Sequence, residues 1–356
     1  MSESDDNNLP SAAECDKICQ EFASITGTDT ALAMFYLQDR EWSLDRALNS
    51  YFEESAAGGV NTASASALQT TTVIQTKKNK ENKPNSSNKI PEQAGSGLPF
   101  RIRVLSWNID GLDKDSLRSR TQAVCETIKR EDPHVVFLQE VVVETQEIIQ
   151  ELCPLYHMIP GNEEAYFAAI LVKIGDVQVE ETKILPFPNT VMLRNLISLK
   201  CIVKGEKFVM MTSHLESTKE YSKERQEQLK QCFKYIGARD KGYTVIFGGD
   251  LNLRDNEIDA IGGLPENIYD IWEITGKRPE AKFTWDLMRN DNLRMPNRFK
   301  PRCRFDRLYI RHSEQKEVKA EYFELCGLER LRNVQRFCSD HWGLLAHFNI
   351  LSKIPK

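Results

Sequence analysis

The chain has 356 residues, with 52 acidic against 47 basic side chains and a formal net charge of −5. That length allows one large domain or two unequal ones, and the acidic excess argues against a surface coated in positive charge for non-specific nucleic-acid binding, though not against a local basic groove. Nine cysteines at scattered spacings, with no CxxC pair, speak for reduced thiols rather than a disulfide framework or a zinc site. No apolar run approaches a membrane span and the polar, acidic N-terminus is unlike a signal peptide, so the expected location is the nucleus and also the cytoplasm, with no membrane partner.

Residues 1–12 are polar and are expected to be disordered. Residues 13–53 read as three short helices. Ile18, Phe22 and Ile25 give the first an apolar stripe that Gly27 can end. Thr28 or Asp29 is placed to cap the second, where Leu32, Phe35 and Tyr36 recur at helical spacing. Ser43 is placed to cap the third, with Leu44, Ala47, Leu48 and Tyr51 on one face. The segment, ending Ala47-Leu48-Asn49-Ser50-Tyr51-Phe52, resembles a UBA-like domain, and the resemblance implies ubiquitin or ubiquitylated proteins as its partner. Where that family carries Met-Gly-Phe or Met-Gly-Tyr after its first helix, this chain has Thr26-Gly27-Thr28.

Residues 54–97, rich in Ala, Ser, Thr, Asn and Gln, read as a flexible linker. Within it, Lys77–Lys83 is a basic run that suits either a solvated linker or a nuclear import signal, and Val73-Ile74 lies among threonines. From residue 98 to 352 the pattern changes to short β runs: Arg101–Trp107, Val135–Val141, Phe167–Ile174, Leu196–Val203, Phe208–Thr212, Thr244–Phe247, Arg304–Ile310 and Leu344–Ile350. Helices are expected at Ser116–Arg130, Ser222–Ala238 and Asn267–Thr275, and a hairpin turn at Lys204-Gly205-Glu206. Many strands and few long helices suggest an α/β fold of two packed sheets flanked by helices.

Polar residues stand where these apolar strands end: Asn108 after Val104–Trp107, Gln139-Glu140 after Val135–Leu138, and His214 after Val209–Ser213. Asp250 and Asn252 follow Val245–Gly249, Asp306 follows Arg302–Phe305, and Asp340-His341 precedes the last strand. Any one is explained by a turn or cap. Six together, if their strand ends meet, make a pocket of oxygen ligands with one imidazole, which suits a hard cation such as Mg²⁺.

Trp107-Asn108, Leu138-Gln139-Glu140, Gly249-Asp250-Leu251-Asn252 and Ser339-Asp340-His341 occur in the order and spacing of the endonuclease/exonuclease/phosphatase superfamily, which the chain resembles over residues 98–352. The pieces Trp107–Leu112, Thr212–Thr218, Asn252–Asp255 and Ser339–Leu345 are similar to the branch that acts on 5′-tyrosyl DNA. The resemblance implies a four-layered α/β sandwich, two packed, mostly antiparallel sheets flanked by helices. It implies Mg²⁺-dependent removal of trapped topoisomerase peptides from DNA 5′ ends in double-strand break repair, with Mn²⁺ able to substitute. Single-stranded or frayed ends are the expected substrate and a monomer the expected state.

Under that resemblance Glu140 is the principal metal ligand, Asp250 orients and activates the attacking water with Asn252 beside it, and Asn108 holds the phosphate or the water. If the segment is extended, Asp250 and Asn252 share one face. His341 donates to the phosphate as an imidazolium oriented by Asp306 or Asp340, the family pattern favouring Asp306, and His214 is a second phosphate contact. A tyrosine leaves as a phenolate of pKa about 10, so a cation such as Arg194 suffices to stabilise it. Trp285 is placed either to stack on a terminal base or to fill the core. Tyr166 and Arg254 are placed to line a DNA groove, and Ser217 and Thr218 to cap the following helix around a phosphate. The run Arg289–Arg302 suits either a basic wall or a solvated loop. His134, His157, His312 and His347 read as structural or exposed. Two alternatives remain: another reaction of the superfamily (abasic-site incision, deadenylation or phosphoinositide dephosphorylation), or a ubiquitin-binding scaffold with an inactive catalytic fold.

Overall fold

The computed structural model describes residues 12–26, 28, 30–38, 42–44, 46–48, 101–163, 165–293 and 300–351. It divides into two units, Met1–Ala94 and Gly95–Lys356. In the first, α1 (Ala12–Thr26) and α2 (Thr30–Gln38) are followed by helical residues at Leu44 and Arg46–Leu48. Phe22, Cys19, Ala33, Tyr36, Leu37 and Ala47 form its core, with the Phe22 and Tyr36 rings stacked at 5.7 Å. Ile25, expected on the buried stripe of α1, is 50% exposed; Cys19, one turn before Phe22, takes the core position instead. The expected linker and Tyr51 lie outside the described residues.

In the second unit the chain runs β1 (Arg101–Asn108), α3 (Leu117–Glu131), β2 (Val135–Val142), α4 (Val143–Leu152), β3 (Tyr156–Pro160), β4 (Tyr166–Lys173), β5 (Val177–Pro186), β6 (Asn195–Val203) and β7 (Glu206–Ser213). It continues through α5 (Ser222–Gly237), β8 (Thr244–Asp250), α6 (Asp255–Ala260), β9 (Ile268–Asp270), α7 (Ile271–Ile274), β10 (Trp285–Asp286), β11 (Arg302–Cys303), β12 (Asp306–Arg311), β13 (Val318–Cys326) and β14 (Gly343–Ile350). Two six-stranded sheets have the orders β13-β14-β1-β2-β4-β3 and β5-β6-β7-β8-β12-β9. Only the β1–β2 and β7–β8 pairs are parallel within these two sheets. The inner faces bury Ile102, Val104, Phe137, Ile170, Met210, Ile246, Leu308 and Phe348 between the sheets. Val124, Ile128 and Ile149 cover one outer face from α3 and α4; Leu229, Phe233 and Ile236 cover the other from α5. This is the four-layered α/β sandwich expected from the sequence.

Lys204 and Gly205, at φ 51° and 85°, close the β6–β7 hairpin as a two-residue turn with both central residues left-handed. The helix expected over Asn267–Thr275 is instead β9 followed by the single turn α7, because Ile268, Tyr269 and Asp270 pair with Arg311, Ile310 and Tyr309. Sheet pairing there overrides the local helical pattern.

Candidate active site

The sheets themselves deliver the site. On β1, Ile102, Val104, Ser106 and Asn108 share one face, since side chains alternate along a strand. Ile102 and Val104 belong to the core between the sheets, so Asn108 continues that face past its apolar end. The same parity carries Ile246 to Asp250 on β8, Leu308 back to Asp306 on β12, and Met210 to Thr212 and then His214 beyond β7. Asp306 lies directly opposite Asp250 across the antiparallel pair. Gly249, at φ 139°, lets β8 approach β7 there: a Cβ on it would sit 2.1 Å from the Ser213 carbonyl oxygen.

Glu140 has the wrong parity. Phe137 and Gln139 face inward, so strict alternation would turn Glu140 toward the helices. A bulge corrects this. Leu138 pairs with Ala169 and Val141 with Phe167, leaving Gln139 and Glu140 opposite the single residue Ala168. Glu140 takes φ 55°, and its carboxylate meets the Asn108 amide at 3.0 Å. Bulges of this kind re-aim side chains beside active sites.

Asn108 joins the two halves, because its Nδ2 also donates to Asp250 Oδ2 at 2.9 Å. Asp250 Oδ1 accepts the Asn252 backbone N–H at 3.0 Å, and Oδ2 lies 3.3 Å from His214 Nε2 and 3.7 Å from His341 Nε2. Burial alone would raise the Asp250 pKa, but the charge of His341 and the contact with His214 hold it well below the carboxylate range. His341 is the converse. Burial disfavours its charge, yet Asp306, Asp250 and Asp340 raise its pKa well above the usual value, and Nδ1 bonds Asp306 Oδ2 at 2.8 Å. Asp306, not Asp340, is therefore the partner of His341. Thr284 Oγ1 donates to the same Asp306 oxygen at 2.6 Å.

His214 is neutral. A guanidinium can only donate, and Arg194 Nη1 lies 2.8 Å from His214 Nδ1, so Nδ1 is bare and Nε2 carries the proton. Burial and the Arg194 charge push this imidazole down to about 4. Arg194 also donates to Ser217 Oγ at 3.0 Å and lies 4.9 Å over the Tyr166 ring, while its Nε has no acceptor among the described residues. Burial raises the Tyr166 pKa, so its phenol stays protonated.

Two expectations are corrected, and of the two readings of Trp285 the core one falls. β8 ends at Asp250, and Asn252 sits at φ 50°, so the two do not lie on an extended strand; a turn brings Asn252 Nδ2 to Ser217 Oγ and the Leu215 carbonyl, each at 3.3 Å. Ser217 and Thr218 do not cap a helix, because α5 starts at Ser222 with Tyr221 before it. Ser217 belongs to the site through Arg194 and Asn252, while the exposed Thr218 gives its carbonyl to Arg225. Trp285 neither fills the core nor stands free. It is half-buried, donates Nε1 to Asp340 at 3.0 Å and packs on Phe305 at 5.4 Å, with Arg254 stacked 5.3 Å over the same Phe305. Of the basic run, Arg302 pairs with Asp286 and residues 294–299 lie outside the described residues.

Sequence reasoning passed over Phe305, Thr284 and Asp110. Asp110 lies near Asp340 and Glu140 and is pushed up to about 8 by burial and the Asp340 charge. Glu140 is pushed up to about 7 by burial and that same charge. Carboxyls that raise one another in this way suit a divalent cation. The only signal for Asp110 was its place two residues after Asn108. The buried Arg120 holds the loop behind it, donating to the carbonyls of Asp110, Asp113 and Cys338.

This sandwich and its polar end define a member of the Endonuclease/Exonuclease/phosphatase family, whose model matches residues 105–341; a UBA-like domain model matches residues 16–58. Tyrosyl-DNA phosphodiesterase 2 of Xenopus laevis is 39% identical over 96% of this chain and 95% of its own, and that of Homo sapiens 38% identical over 94% and 92%. The chain belongs to the tyrosyl-DNA phosphodiesterase 2 family. The crystal structure of Danio rerio TDP2 complexed with single strand DNA product superposes at TM-score 0.68 with 37% identity, covering 70% of this chain and 99% of that one. That of Caenorhabditis elegans TDP2 does so at 0.65 with 33% identity, covering 98% and 97%.

Proposed function

We propose that the catalytic unit hydrolyses 5′-phosphotyrosyl-DNA bonds in a Mg²⁺-dependent reaction, leaving a 5′-phosphate, in the repair of topoisomerase-linked breaks. The observation that carries this reading is the Asn108 amide, which holds a metal-type carboxylate (Glu140) and an ionised Asp250 from one nitrogen. Glu140, with Asp340 beside it, would hold Mg²⁺, with Mn²⁺ able to substitute. When bound, the cation neutralises phosphate charge and polarises a phosphoryl oxygen.

Asp250, fixed as a carboxylate, orients the attacking water, with Asn252 beside it. His341 is an imidazolium whose Nδ1 is taken by Asp306. Its Nε2–H lies too far from Asp250 for a good hydrogen bond and is free to donate to a phosphate oxygen. His214, expected as a second phosphate contact, instead has both nitrogens engaged within the protein and acts through Asp250. The Arg194 guanidinium, with an unpaired Nε–H, stabilises the departing phenolate, which needs less help than a sugar alkoxide. Trp285, Phe305 and Arg254 offer an aromatic and cationic wall for a terminal base, and Tyr166 and Ser217 line the other side. Single-stranded or frayed ends fit this wall, and the Danio rerio complex with single strand DNA product supports that choice. The UBA-like match supports ubiquitin or ubiquitylated proteins as partners of residues 13–53. A monomer in the nucleus and cytoplasm completes the reading.

The test is tyrosine release from a 5′-phosphotyrosyl oligonucleotide, with Mg²⁺ and with EDTA, wild type beside Asp250→Asn. Turnover should require Mg²⁺ and fall at least about a hundredfold in the variant. Full turnover in EDTA or in Asp250→Asn would overturn the assignment. No turnover by the wild type would return the substrate to the wider family.

A further inference from the structure

The loop between β5 and β6, Phe187–Arg194, aims Arg194 into the site; backbone bonds from the Phe187 N–H to the Arg194 carbonyl at 3.3 Å and from the Thr190 N–H to the Phe187 carbonyl at 3.2 Å close it, but neither reaches Val191–Leu193. Val191 and Leu193 are 60% and 57% exposed, so apolar burial does not hold them. Leu193, immediately before Arg194, sits at φ 58°, a left-handed conformation costly for a residue with a Cβ. Something else must fix it.

Beneath the loop lies Glu216, fully buried and unused by the mechanism above. Its Oε1 accepts the Thr190 hydroxyl at 2.6 Å, the Val191 N–H at 2.8 Å and the Met192 N–H at 3.3 Å. Gln228 of α5 steadies it, accepting the Glu216 backbone N–H at 3.0 Å. Thr190 Oγ1 passes the constraint on by accepting the Arg194 backbone N–H at 2.7 Å. Arg194 then fixes the bare Nδ1 of His214, whose protonated Nε2 faces Asp250.

We propose that Glu216 and Thr190 are positioning residues, a buried clamp that sets the Arg194 guanidinium and, through it, the tautomer of His214. The inference rests on the reading of Arg194 as the group that meets the leaving oxygen. It places the control of that contact in a carboxylate that touches no substrate. Because the clamp is geometric, an amide can replace the carboxylate: Glu216→Gln keeps a carbonyl oxygen for the loop N–H groups.

The experiment uses the full chain, labelled with ¹⁵N-histidine, and kinetics on the 5′-phosphotyrosyl oligonucleotide. Thr190→Val should lower kcat about tenfold, the scale of one lost positioning hydrogen bond, with KM nearly unchanged. Glu216→Gln, which keeps the accepting oxygen, should stay within about threefold of wild type, less than the loss of one bond. In the wild type, His134 and His214 should both show a bare Nδ1 and a protonated Nε2 at pH 7, since each Nδ1 faces a donor, and the His214 signal alone should be lost in Arg194→Ala. Thr190→Val should shift or broaden that signal and add less than about twofold to the kinetic loss of Arg194→Ala, since coupled sites are not additive. An unchanged histidine signal in a folded Thr190→Val protein, or a full tenfold loss in the Arg194→Ala background, overturns the clamp. The histidine spectrum needs no turnover, so an inactive wild type would overturn the proposed substrate while the clamp is still judged.

Discussion

Gly111→Ala is a single methyl group whose effect can be worked from the backbone. The Cβ it adds would stand 2.1 Å from the Glu140 carbonyl oxygen and 3.5 Å from Val142 Cγ2. The near neighbour is backbone, so no side chain can swing aside, and the bulge that turns Glu140 inward must give by about 1 Å. A misplacement of that size in a catalytic group costs about a hundredfold in rate. The overpacking itself should cost about 1–3 kcal/mol of stability, enough to lower Tm without unfolding the domain. Because Glu140 is the proposed metal ligand, the Mg²⁺ concentration for half-maximal rate should rise about tenfold as well. Gly237→Ala is the control, since a Cβ there meets nothing within 4 Å. The assay is tyrosine release across a Mg²⁺ titration, beside thermal melts of both variants. A Gly111→Ala enzyme with wild-type kcat and wild-type Mg²⁺ requirement would refute the argument that this backbone contact sets the Glu140 carboxylate.

Trp285→Ala should weaken oligonucleotide substrates by about 1–3 kcal/mol, the worth of one stacked base, and leave a small phosphotyrosyl ester nearly unaffected; equal losses on both would remove the stacking role. Deleting residues 1–97 should leave kcat on short oligonucleotides within about twofold, since every site residue named above belongs to the second unit and changes outside a site's own residues are usually near neutral; a large fall would show that the boundary is misplaced. His134 is buried, accepts the Arg103 N–H on Nδ1 and is pushed down to about 4 by burial and nearby cations. With its folded pKa below the unfolded value of about 6.5, its contribution is full above pH 6.5 and is lost as pH falls toward 4, about 2 kcal/mol after allowing for partial solvent screening. Urea unfolding at pH 7 and pH 4.5 should therefore show a smaller loss for His134→Gln than for wild type, and identical losses would discard the assignment.

What could be read in the sequence was whatever alternation and strand-end polarity encode. The strands that bury both faces, such as Val135–Val141 and Thr244–Phe247, stand out as apolar runs, and the parity that packs Ile246 also aims Asp250. The edge strand β5 was missed for the opposite reason. β5 reads Val-Gln-Val-Glu-Glu-Thr-Lys and is exposed along almost its whole length, so no apolar pattern marks it; its pairing with β6 alone makes it a strand. α4 was missed because it follows β2 without a turn, its first-turn Glu144 and the buried Thr145 giving no break in the pattern.

The site itself divides in the same way. Asp250, Asp306 and Asn108 follow from strand phase, so their convergence is a consequence of how the core packs. Glu140 and Arg194 do not. Each depends on a residue in left-handed backbone, Glu140 itself and Leu193; the Glu140 carbonyl lies where only a glycine at position 111 leaves room, and Leu193 follows three residues, Thr190–Met192, that Glu216 holds. The two groups nearest the proposed chemistry of metal binding and leaving-group departure are thus the two that regular structure would have pointed elsewhere. Their supports, a glycine and a buried carboxylate without substrate contact, are where substitutions that remove the space or the accepting oxygen should damage catalysis while the fold survives.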